Sequence, residues 1–234
     1  MKNKTKWIFL DFDGVLHDFN DILNNNLFCY NVNLKFLVMM LKKENFNVNV
    51  VFSTSWRLNS SLTDLKDNIY EIVDDVSFFD KTCPEIHSYT HGDYDKPGSS
   101  QNNRYEEINK YLINHDIKYG DYVVLDDAAG LFFKTYLESD ENGKSKLDSN
   151  GYPIINTVNL VLDKNNKFLN ENSIDENQEN IYNLLNDNEI NFGKSIVLTS
   201  NKLRGGNYLS ELNVHLAFDI LTKNNKPSLK NKLF

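Results

Sequence analysis

"WIFLDFDGVLHDF", residues 7–19, decides how the rest of the chain is read. Its first four residues form an apolar run of the kind that makes a strand buried on both faces of a sheet. The run ends in Asp11 and Asp13, with no Lys or Arg beside them. Carboxylates at the end of a core strand are costly to bury unless a cation sits there. A lone Asp-x-Asp is most often a turn or a solvated cap, so the neighbours must decide.

Moving outward, "VNVVFSTS" at 48–55 reads as a second strand, rich in β-branched and aromatic residues. "GDYVVLDD" at 120–127 reads as a third, again ending in acid. Helical periodicity marks 31–43, 62–73 and 103–115, while 74–101, with Pro84, Gly92, Pro97 and Gly98, reads as loop. Strand alternating with helix predicts an α/β fold with a mainly parallel sheet covered on both faces. Two later runs, "TVNLVLD" at 157–163 and "SIVLTS" at 195–200, are strand-like, and 209–221 is helical. Between them 164–191 has 10 Asn in 28 residues, which predicts a biased surface segment with one helix near 181–185.

Composition narrows the class. A net charge of -8 and a pI near 5.1 argue against coating nucleic acid or an anionic membrane through bulk charge. No stretch approaches the roughly 18 apolar residues of a membrane span. The opening MKNKTK leads directly into a strand, without the apolar core of a signal peptide, and Cys29 and Cys83 have no metal-type spacing. A cytoplasmic protein is expected. Nothing in the sequence specifies a stable protein partner.

Three strands thus end in groups suited to chemistry: Asp11 and Asp13, Ser53 to Ser55, and Asp126 with Asp127. In a doubly wound parallel sheet, ligands bind beyond the carboxyl ends of the strands. If these three strands are neighbours, the groups converge on one cleft. Carboxylates with oxygen-only neighbours suit a hard cation such as Mg²⁺, which in turn would hold a phosphate.

"DFDGVL", "FSTSW", a basic residue opening a helix and "VLDD", in that order, resemble the haloacid dehalogenase-like (HAD) superfamily. The likeness is closer still to the small HAD domains of RNA-repair proteins, and it covers about residues 7–127. The resemblance implies a three-layer Rossmann-like fold and a phosphatase whose nucleophile is Asp11 and whose general acid and base is Asp13. It implies Thr54 as the hydroxyl that hydrogen-bonds the phosphoryl group, with Ser53 and Ser55 as rivals. Arg104 would be the basic residue, although the family more often has Lys there; Lys96 is the alternative. It implies a Mg²⁺ set of Asp11, Asp13 (through its backbone carbonyl) and Asp126, with Asp127 either as a further ligand or as a residue that orients the ligands. Side by side on an extended chain, Asp11 and Asp13 would lie ~7 Å apart, so a turn must follow Asp11, and Gly14 can permit it.

Gly14, Ser55, Trp56 and Arg57 are expected near the substrate. Trp56 offers a stacking face for a base, with core packing as the equal alternative, and Arg57 has a surface ion pair as its alternative. His17 is expected in an exposed turn. His87 and His91 lack zinc-type partners, and the single Arg-Gly-Gly at 204–206 reads as loop. Dehalogenases of the superfamily need only the first aspartate, so Asp13 and the 126–127 pair favour phosphoryl transfer. The gaps from Gly14 to Thr54 and from Ser55 to Arg104 leave room for little or no cap domain, which suits a phosphorylated small molecule or a nucleic-acid end. A catalytically weak module that binds a phosphorylated ligand or a protein is the second expectation. A receiver-like phospho-acceptor is disfavoured because both aspartates share one strand. The expected organisation is a single domain, 1–234, with core motifs in 1–133, a polar Asn-rich insertion in 134–193 and a closing strand and helix in 194–234.

Overall fold

The computed structural model describes residues 4–17, 31–58, 60–70, 104–140, 142–162, 185–201 and 206–223. Four parallel strands form the central sheet: β1 (Thr5–Leu10), β2 (Asn47–Phe52), β3 (Tyr122–Asp126) and, late in the chain, β6 (Ile196–Leu198). Their order is β2-β1-β3-β6. Leu10 pairs with both Phe52 and Leu125, and Asp126 pairs with Leu198, so the carboxyl ends of all four strands finish level. The strand neighbours required for a shared cleft are therefore present.

Alternate side chains serve two cores. On one face Ile8, Leu10, Val50, Phe52, Val123 and Leu125 pack with α1 (Asn31–Lys43), α2 (Leu62–Tyr70) and α5 (Glu211–Lys223). On the other, Phe9, Val51, Tyr122 and Val124 meet α3 (Arg104–Asn114), α4 (Asp187–Gly193) and part of a hairpin. Burying this apolar surface contributes roughly 25 cal/mol per Å² and dominates the stability of the sheet. Both α1 and α3 end in a left-handed residue, Asn45 (φ 62°) and Asp116 (φ 51°). In each case the following N–H closes on the last turn, Phe46 to Leu41 and Ile117 to Leu112, which stops the helix and turns the chain back.

Several details differ from expectation. β2 stops at Phe52, and Ser55–Leu58 forms a 3₁₀ turn instead of continuing the strand. The 157–163 run is not in the sheet. Its first part belongs to β5 (Ile155–Asn159), antiparallel to β4 (Phe133–Leu137), a strand the sequence reading placed inside an insertion. The helix expected near 181–185 falls almost wholly outside the described residues, and α4 follows it in the chain. Asn186 caps α4 with a capping box to Glu189, whose carboxylate also binds Lys134 of β4. Residues 181–184 lie outside the described residues, as does most of the Asn-rich tract. A two-stranded ribbon, β7 (Ser200–Asn201) with β8 (Gly206–Asn207), precedes α5. No described helix is long and apolar enough to cross a membrane.

Candidate active site

The backbone ladder continues one residue past each strand. Asp11 N–H donates to Leu125 O, Ser53 N–H to Leu10 O and Thr199 N–H to Asp126 O. Beyond Asp11 the chain turns sharply: Val15 and Leu16 N–H close on Phe12 O, and Gly14 N–H donates to His17 O. Phe12 anchors the turn edge-on against Phe52 and Trp56. Gly14 has φ +69°, and a Cβ on it would lie 2.2 Å from Asp127 Oδ2. Glycine is thus required twice over, by conformation and by space. Its carbonyl accepts from Thr199 Oγ1 at 2.6 Å, which ties the turn to the end of β6.

Asp11, Asp126 and Asp127 each present a carboxylate oxygen within 4.8 Å of the others. Opposite them stands Arg104, the first residue of α3. Its Nη1 is 2.5 Å from Asp126 Oδ2 and 3.2 Å from Asp11 Oδ2. Asp126 Oδ1 accepts from Ala128 N–H, whereas Asp11 Oδ1 is buried without a hydrogen-bond partner among the described residues. Among the described residues one guanidinium faces three carboxylates, so negative charge is in surplus there. Burial pushes the Asp126 carboxyl up, with Asp11 adding to it and Arg104 opposing it. Burial and the Asp11 charge push Asp127 up to about 6. Burial disfavours the Arg104 charge, but Asp126 and Asp11 outweigh it and hold the guanidinium protonated. An orphaned buried oxygen among three hard donors fits a divalent cation, which would lift this repulsion.

The carboxylate of Asp13 is turned away from that cluster. Oδ1 lies 2.9 Å from His17 Nε2, and Oδ2 accepts from Trp56 Nε1–H at 2.9 Å. Burial pushes the Asp13 carboxyl up, but bonds to His17 and Trp56 and the charges of His17 and Arg104 leave it below the ordinary carboxylate range. His17 is fully buried, which corrects the expectation of an exposed turn histidine. The turn that Gly14 makes packs His17 inward against Trp56.

The remaining expected residues divide as follows. Ser53 and Thr54 are buried past the end of β2, and Thr54 Oγ1 accepts from Trp56 N–H at 3.3 Å. Ser55 is exposed, and Trp56 is half-buried. The Arg57 side chain and Lys96 lie outside the described residues. Sequence reasoning missed Thr199 and misread His17. Thr199 ends a fourth strand-like run and could have been counted with the other strand ends. The contact of His17 with Asp13 depends on the turn between them.

A parallel sheet flanked by helices, whose strand ends gather carboxylates opposite a buried arginine, is an α/β fold of Rossmann-like architecture with an acidic site at its carboxyl edge. Residues 7–147 match the family model described as the HAD domain in Swiss Army Knife RNA repair proteins, and the chain belongs to that family. No curated protein and no solved structure matches it.

Proposed function

We propose that the chain is a Mg²⁺-dependent phosphomonoesterase acting through Asp11, on a nucleotide or on the terminal phosphate of a nucleic acid. The observation that carries this reading is the unsatisfied, buried Asp11 Oδ1 beside Asp126, Asp127 and Arg104. Asp11, Asp126 and Asp127 would hold the cation, with the backbone carbonyl of Asp13. When bound, the cation supplies charge neutralisation for the carboxylates and the phosphoryl oxygens.

In the first half-reaction an Asp11 oxygen bonds to phosphorus as the ester P–O bond breaks, and the leaving oxygen takes a proton that Asp13 has picked up from solvent as the negative charge of the substrate arrives beside it. In the second, Asp13 takes a proton from water, the water oxygen bonds to phosphorus, and the Asp11–phosphorus bond breaks to release phosphate. Arg104 stabilises the charge on Asp11 and the phosphoryl group throughout. Thr54 would bind a phosphoryl oxygen. The family's description in RNA-repair proteins supports a nucleic-acid terminal phosphate over a sugar phosphate.

The test is phosphate release from nucleotides, sugar phosphates and 3′- or 5′-phosphorylated oligonucleotides, with Mg²⁺ or EDTA, beside Asp11→Asn. Release that needs Mg²⁺ and disappears in Asp11→Asn is expected. Full activity in Asp11→Asn would overturn the mechanism. The second reading, a weak module that binds a phosphorylated ligand, draws on Arg104 standing where the family usually has Lys. Tight binding of phosphate analogues without turnover would favour it.

A further inference from the structure

We propose that His17 and Trp56 are positioning residues that clamp the Asp13 carboxylate outside the metal cluster and aim it for proton transfer to the leaving group. This rests on the phosphatase reading above and extends it to two residues outside the acidic cluster. The two donors come from different elements, His17 from the turn after β1 and Trp56 from the 3₁₀ turn after β2. An indole N–H can only donate, so the Trp56 bond has a fixed direction. His17 Nε2 donates in the tautomer that carries its proton there.

Both donors are themselves held. His17 has no solvent exposure, and the Trp56 ring packs edge-on against Phe12 at 5.5 Å and tilted against His17 at 5.8 Å. The Asp13 side chain nevertheless keeps 30% of its surface exposed, so a substrate can reach it. Without the clamp, a fourth carboxylate two residues from Asp11 is free to rotate toward the cluster, where it would compete as a ligand. Locking a proton-transfer group to a narrow range of orientations is where such a group gains its rate advantage.

The test uses Trp56→Phe, which keeps an aromatic ring against Phe12 and removes the donor. Two substrates are compared by kcat/KM, which reports only steps up to departure of the leaving group. One is the best alkyl phosphomonoester of the panel, whose leaving oxygen needs a proton. The other is 2,4-dinitrophenyl phosphate, whose leaving oxygen does not. In Trp56→Phe the alkyl-to-aryl ratio should fall by about tenfold or more, and in Asp13→Asn it should fall further. Asp13→Asn/Trp56→Phe should show the same ratio as Asp13→Asn, because the indole acts through Asp13. An unchanged or increased ratio in Trp56→Phe, or additive losses in the double variant, would overturn the assignment.

A readout without turnover separates the clamp from the mechanism. In ¹H–¹⁵N spectra the Trp56 indole resonance should move and exchange faster with solvent in Asp13→Ala, while that of Trp7 stays in place. An unmoved Trp56 resonance refutes the clamp whatever the activity. A moved resonance in a protein without turnover on any substrate refutes the phosphatase reading and the catalytic role together.

Discussion

The two ends of the central sheet both bury charge, and they balance it differently. At the amino end, Lys6 of β1 is fully buried and donates to Gly120 O and Asp121 Oδ1, each at 2.8 Å, and its ammonium lies over the Phe46 ring. Lys4 adds a second contact to Asp121 at 2.7 Å. At the carboxyl end, Arg104 faces Asp11, Asp126 and Asp127, and one oxygen of Asp11 has no hydrogen bond among the described residues. The same fold closes its charge account at one end and leaves it open at the other. A buried carboxylate oxygen without a hydrogen bond is expensive, and the proposed cation would offset that cost at the open end.

The largest expected effect breaks the open end. Asp11→Asn should lower Mg²⁺-dependent turnover by roughly 10⁴-fold, as loss of a nucleophile does in other covalent enzymes. The same variant should leave the metal-free protein at least as stable to urea, because one member of a repelling set is gone. A marked loss of stability instead would mean that the carboxylates are structural.

Next comes the turn that shapes that end. Gly14→Ala forces a side chain into a left-handed conformation and onto Asp127 Oδ2, and it should cost about 2–4 kcal/mol in urea unfolding. The closed end should respond less. Lys6→Met leaves Asp121 with Lys4, so a loss of about 1–3 kcal/mol is expected, with Mg²⁺-dependent activity kept in the folded fraction. Equal losses of activity in Lys6→Met and Asp11→Asn would erase the distinction between the two ends.

The smallest effect is a pH dependence. Burial and the Asp11 charge push the folded Asp127 carboxyl up to about 6, and burial raises Asp126 as well. A group raised in this way stabilises the fold when protonated, and that contribution is lost as pH rises through the folded value. Metal-free protein should therefore lose up to about 1 kcal/mol between about pH 4 and about pH 7, and less in Asp127→Asn. Added Mg²⁺ should reverse the trend by binding the ionised carboxylates. Thermal melts with Mg²⁺ or EDTA across that range check both signs.

Most of the open end could be read from the chain because its signals are local. An apolar strand followed by Asp announces itself wherever it pairs, and β1, β2 and β3 needed only to be neighbours for their ends to meet. What the sequence hid depends on partners chosen at a distance. The 157–163 run looks like a core strand, and only its pairing with β4 removes it from the sheet. Nothing around residue 17 says that a turn will fold His17 back onto Asp13. Thr199 matters because Gly14 O happens to lie 2.6 Å from its hydroxyl.

The contact between Gly14 and Asp127 bears on how this family can vary. Because a Cβ at position 14 would meet the Asp127 carboxylate, the glycine of "DFDG" and the second acid of "LDD" are one steric unit, although 112 residues lie between them. Related chains should inherit the two together. A chain that carries Ala or Ser at the glycine position should also carry a shorter residue in place of the second acid, and with it a metal site one carboxylate poorer.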